Sequence, residues 1–171
     1  WGGKGLTAYS GSGLGTGGNF VLCGGVFRMT KDQALSVGRL VLTDGGVFEL
    51  GADLNGSAAG DFTLTCGTGN NQILLYGDAG FSAYGADRIV NLGGASATLT
   101  WGANGFLTHQ ETYDNGYRFK LSSRRSDATV EFQNPIDLNG DSKEVRRRTI
   151  EVANGAATID AVLSGAISGH S

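Results

Sequence analysis

Short runs of apolar, β-branched and aromatic residues recur along the chain, each bounded by Gly, Asn or Asp, at 19–30, 39–44, 46–50, 61–66, 72–77, 96–101, 117–122, 128–132, 149–153 and 157–163. Runs of this length and content predict β-strands, with the chain turning roughly every 8–12 residues. In Thr63-Leu64-Thr65 and Thr98-Leu99-Thr100 the alternation puts Leu on one face and Thr on the other. Thirty glycines and a single proline, Pro135, punctuate these runs from one end to the other. The pattern predicts an all-β fold of repetitive kind, a β-solenoid, with residues 1–171 forming one unit.

Two internal echoes favour a repeated strand-and-turn unit. The segment from Phe48 to Asp53, Asn55 and Gly56 has the same spacing as that from Phe132 to Asp137, Asn139 and Gly140, and both end Asp-Leu-Asn-Gly. The run Thr98 to Trp101 likewise echoes Thr63 to Cys66.

Composition narrows the class. An apolar fraction of 40% is too high for a disordered chain, and near absence of Pro without a third-residue Gly period excludes collagen. A net charge of −3 with 17% charged residues offers no broad surface for nucleic acid or anionic membrane. The basic run Arg146-Arg147-Arg148 reads as a solvated turn entering the strand at Thr149. No apolar run approaches the length of a membrane span, so no membrane insertion is expected. The start at Trp1 and the richness in Gly, Ser, Thr and Asn lead us to expect a mature secreted fragment or an excised piece of a longer protein, at an extracellular or cell-surface location.

The cysteines set a geometric test. Cys23 and Cys66 are 43 positions apart, two coils if a coil takes roughly 20–25 residues. Stacked positions two coils apart are nearly 10 Å distant at about 4.8 Å per coil, whereas a disulfide needs Cβ atoms about 3.5–4.5 Å apart. Two buried free thiols are therefore expected, although a single long coil between them would allow a bridge.

A family resemblance rests on the C-terminal quarter. Arg148, Ile150 and Val152, then Leu163-Ser164-Gly165-Ala166-Ile167-Ser168-Gly169, are similar to the autotransporter-associated β-strand repeat, in which Arg-x-Ile-x-Val leads to Leu-Ser-Gly-x-Ile-Ser-Gly and on to Gly-Leu-Thr-Lys. The match covers roughly the last 25 residues well. The chain stops at Ser171 before that continuation, but Gly5-Leu6-Thr7 near the other end resembles it. The resemblance implies a right-handed parallel β-helix exposed outside a bacterial cell. Joining the two ends suggests one unit of a tandem array or a head-to-tail polymer, each unit contributing about eight coils.

The search for chemistry assigns no catalytic, cofactor-binding or metal residue. His109 and His170 are the only histidines and have no metal-ligand spacing with the cysteines. Gly11-Ser12-Gly13 and Gly56-Ser57 read as turns rather than nucleophile elbows. Asp137, Asn139 and Asp141 place oxygens at alternate positions like the start of a calcium loop, but Ser142 and Arg148 stand where that loop needs Gly and Glu, so an Asx turn is the simpler reading. Asp44, Asp53, Asp61, Asp78 and Asp87 read as strand terminators; three or more gathered in one groove would instead suggest a carbohydrate-active enzyme. Phe81, Tyr84, Tyr113 and Tyr117 are expected to pack under loops, with sugar stacking as the alternative. The polar stretch 108–115 is expected to project as a loop. Together these readings point to a structural or adhesive surface protein whose partners are copies of itself and, second, a surface polysaccharide, with an enzyme or a passive spacer as alternatives.

Overall fold

A computed structural model describes residues 6–9, 18–31, 38–53, 62–108, 116–139 and 147–169. Among them all regular structure is β, in fifteen strands: β1 (Leu6–Tyr9), β2 (Phe20–Cys23), β3 (Val26–Lys31), β4 (Arg39–Thr43), β5 (Gly46–Asp53), β6 (Gln72–Tyr76), β7 (Ala79–Tyr84), β8 (Arg88–Val90), β9 (Leu99–Thr100), β10 (Arg118–Leu121), β11 (Val130–Phe132), β12 (Ile136–Asp137), β13 (Thr149–Val152), β14 (Ala161–Leu163) and β15 (Ile167–Ser168). They form four sheets of orders β1-β3-β5-β7-β10-β13, β2-β4-β6, β8-β11-β14 and β9-β12-β15. Every strand pair in these sheets is parallel.

Parallel neighbours cannot be joined by a hairpin, so consecutive strands enter different sheets, and the chain returns to a sheet after one intervening strand as far as β7 and after two from β7 onward. The return distance is uneven. It is 20 residues from Phe20 to Leu40 and 33 from Leu40 to Ile73. It rises to 40 from Ala79 to Phe119 and 42 from Arg88 to Val130. The last return is 31 residues in all three sheets that carry it, from Arg118 to Thr149, Val130 to Ala161 and Ile136 to Ile167. The longest sheet accordingly holds six strands among the described residues, fewer than the eight coils that an even 20–25-residue return predicts.

The corner between β4 and β5 is Asp44-Gly45, both at positive φ, and the equivalent corner between β2 and β3 is Gly24-Gly25. Each corner bonds to the next, through Gly24 N–H to the Thr43 carbonyl and Gly45 N–H to the Asp78 carbonyl. Short residues tolerant of left-handed backbone are what such a corner requires, and this is why the run 19–30 is two strands rather than one.

The core is a row of rings and aliphatic side chains. Phe27, Phe48 and Phe81 are register partners on β3, β5 and β7. The rings continue Phe48–Phe62 at 5.5 Å, Phe62–Phe81 at 5.6 Å, Phe81–Phe132 at 6.4 Å and Phe119–Phe132 at 4.7 Å between centroids. Such distances suit tilted and edge-to-face aromatic contact. Leu40, Leu42, Leu50, Ile73 and Leu75 fill the rest of the wall.

Several expectations meet a different structure. Phe48 and Phe132 are both buried, but β5 and β11 belong to different sheets, so their sequence echo does not mark one repeated station. Of the run 61–66, the described residues 62–66 supply only isolated bridges, Phe62 to Val90 and Cys66 to Ile73. Cys23 and Cys66 are free and half-buried, as two thiols. Cys23 pairs with Thr43 at one edge of the β2-β4-β6 sheet, whereas Cys66 lies beyond β6 at the other, with two strands between them.

Candidate functional site: two neighbouring clefts at either end of β10

Along β10 the alternation sends Phe119 and Leu121 into the core, leaving Arg118 and Lys120 on the outer face. The same alternation on β13 puts Glu151 outside, in register with Lys120. Glu151 accepts hydrogen bonds from Arg118 Nη1 at 2.9 Å and Lys120 Nζ at 3.1 Å. These bonds, Arg118 first, hold its carboxyl below the usual carboxylate range. The Arg118 guanidinium is in turn pushed further up by Glu151 and by Asp78.

The Arg118–Glu151–Lys120 bridge lies between two clefts, with Lys120 and Glu151 lining the larger and Arg118 the smaller. The larger, of about 640 Å³, has Val26 and Val47 in its floor, Lys120 and Glu151 along one wall, and Arg124 and Arg125 at its rim. Gly80 lies between Val47 and Lys120 in the register and has no side chain to fill that row, and the Lys120 ammonium reaches across toward the corner at Gly45. The smaller, of about 420 Å³, is lined by Asp44, Tyr76, Asp78, Tyr117 and Arg118. There Asp78 Oδ1 accepts the Arg118 backbone N–H at 2.8 Å, and its Oδ2 lies 3.5 Å from Arg118 Nε.

Beneath the rim of the larger cleft is a buried ionic cluster. Glu49 Oε1 accepts from Arg28 Nε at 2.5 Å, and Oε2 accepts from Ser82 Oγ at 2.9 Å and Ser123 Oγ at 2.7 Å. The Arg28 guanidinium also sits 3.2 Å from the Tyr84 ring centroid and donates Nη2–H to the Arg125 carbonyl at 3.4 Å. The cluster thereby fixes the backbone that carries Arg124 and Arg125 over the sheet. A fully partnered buried charge pair is rigid, because every alternative leaves a charge unsolvated.

The residues singled out in the sequence are dispersed. Asp44 and Asp78 meet in the smaller cleft, while Asp87 accepts the Thr129 N–H at 2.7 Å and so ties one strand return to the next. The side chains of Asp53 and Asp61 lie outside the described residues, as do His109, His170, Tyr113, Asp141, Arg146 and the segment 109–115. Asp137 forms the Asx turn, its Oδ1 accepting the Asn139 N–H at 2.9 Å. Among the described residues no group of three or more His, Cys, Asp or Glu could hold a metal ion. Phe81 is core, Tyr84 carries Arg28, and Tyr117 lies over Gly77 in the smaller cleft. Arg148 donates Nε–H to the Leu138 carbonyl at 3.0 Å, so the basic run is only partly a solvated turn. Arg118, Lys120, Arg124, Arg125 and Glu151 were not anticipated; the available signal was the outward alternation of Arg118 and Lys120 beside a second basic pair.

The described residues thus form an all-β protein of parallel sheets, with one cleft on the largest sheet and a second at the corners that lead into it from β4 and β6. No family model, curated protein or solved structure matches it.

Proposed function

We propose that the chain is a right-handed parallel β-helix of the autotransporter-associated repeat kind, serving outside a bacterial cell as a structural or adhesive element that assembles head to tail. One observation carries this reading. The core rows run out to the C-terminal edge strands without being covered: Leu121 is 1% exposed but its register partner Val152 is 52% exposed. Open edges of parallel strands are templates for further strands. The six-stranded sheet has an edge strand at each end, β1 and β13, so a second copy can prolong it in the same direction. A head-to-tail contact of this sort does not close on itself and gives filaments.

The alternative of a carbohydrate-active enzyme needs an acid that holds a proton near neutral pH. Glu151, fixed between two cations, is suited to a permanent charge instead.

Negative-stain electron microscopy of the purified protein tests the proposal. Six strands at about 4.8 Å spacing predict filaments with an axial repeat of about 29 Å. Isolated short rods at high concentration would overturn the assembly and favour a passive spacer.

A further inference from the structure

We propose that the two neighbouring clefts act as one binding groove for an acidic saccharide, a polyhydroxylated chain that carries carboxylate groups. The larger cleft presents three cations, Lys120, Arg124 and Arg125, against the single acid Glu151, on a chain whose net charge is −3. Positive charge gathered in one concave place on an acidic protein selects anions. The Arg124 and Arg125 guanidinium groups form no ion pair among the described residues, and the Glu49 cluster beneath holds their backbone in place. Their forked donors suit carboxylate geometry.

The smaller cleft excludes a plain polyanion. Arg118 offsets Asp78 there, but Asp44 has no ion pair among the described residues and would repel a phosphodiester backbone that passed over it to reach the cations. Two carboxylates beside the rings of Tyr76 and Tyr117 are instead suited to sugar: the acids accept bonds from hydroxyls and a ring face packs on the apolar side of a pyranose. Arg118 and Lys120 lie two residues apart on one face of β10 and share Glu151, which makes the surface continuous from the tyrosines to the arginines. The extended backbone of β10 from Arg118 to Leu121 spans about 10 Å before the chain turns at Ser122, whose φ is +64°, and a cleft lies at each end of that strand. The ligand chemistry is therefore mixed, with hydroxyls at one end of the groove and carboxylates at the other.

The test is calorimetric titration of the whole chain with tetragalacturonate at low salt, alongside the fully methyl-esterified tetramer, which has the same hydroxyls without the charge. Binding of the acid, about tenfold or more weaker for the ester and for the Arg124→Ala/Arg125→Ala double variant, is the expected result. Tyr117→Ala should weaken the acid and the ester alike. Both variants are checked by circular dichroism for retained strand content. Equal binding of acid and ester, acid binding indifferent to the arginine pair, or no binding of either tetramer would overturn the proposal. So would tighter binding of a single-stranded oligonucleotide than of the acidic tetramer.

Discussion

Ile136 and Ile167 are register partners on β12 and β15, yet Ile136 is 1% exposed and Ile167 is 51% exposed. Ile136 is flanked by strands on both sides, β9 and β15, whereas Ile167 has only β12 beside it among the described residues. Ile167→Lys is therefore expected to change the unfolding free energy by no more than about 0.5 kcal/mol, as exposed substitutions do, while abolishing filaments. Urea unfolding and electron microscopy on one preparation separate the two effects.

Glu49→Gln leaves Arg28 buried beside a neutral amide. Breaking a buried charge pair in this way costs about 3–5 kcal/mol, and the loss should appear as a lowered urea midpoint. Ser82→Ala removes only one of the donors to Glu49, at 2.9 Å, and should cost about 1–3 kcal/mol.

A methyl group at Gly80 would overlap the Lys120 carbonyl oxygen on β10. Gly80→Ala should therefore force β7 and β10 apart, with a cost of about 1–3 kcal/mol. Hydrogen exchange should show faster loss of protection across β10 and β13 than across β2 and β4.

Two groups give opposite pH dependences. The Glu151 carboxyl is depressed by Arg118 and Lys120, so its contribution is present above the unfolded carboxylate value of about 4.3 and is lost as pH falls through the folded value. Being partly exposed, the network contributes little, and Glu151→Gln should differ from the wild type at pH 7 but converge with it in acid. Burial pushes the Cys66 thiol up to about 12. Its contribution is complete below the unfolded value of about 8.5 and is lost as pH rises toward 12. Unfolding from pH 8 to 11 should accordingly weaken the wild type more than Cys66→Ala. Iodoacetamide at pH 8.5 should modify Cys66 only slowly in the folded Cys23→Ser protein.

The strands with clean alternation were legible in sequence: 39–44, 46–50 and 72–77 correspond closely to β4, β5 and β6. β7 was not, because Gly80 and Ser82 interrupt the apolar run of Ala79, Phe81 and Ala83 with residues of low strand preference, and its place is fixed by Phe48 and Phe119 packing from either side. β12 and β15 are two residues long and are defined by their neighbours. The clefts were illegible for a related reason. Lys120, Arg124 and Glu151 come together through a 31-residue return whose length no local pattern announces. The buried Arg28 and Arg88 were hidden as well, since charge predicts exposure until a partner such as Glu49 or the Gly51 carbonyl is known.

The Glu49 carboxylate takes one donor from β3, one from β7 and one from the segment after β10 while sitting on β5 itself. Backbone bonds join each strand only to its immediate neighbours, so a pull along the stack can open them one gap at a time. A side chain that grips across several gaps makes them yield together, as a rivet does in layered plate. Under tension the gaps from β3 to β10 would then yield together, while the gap from β10 to β13 is held by a second grip, Arg118 and Lys120 on Glu151.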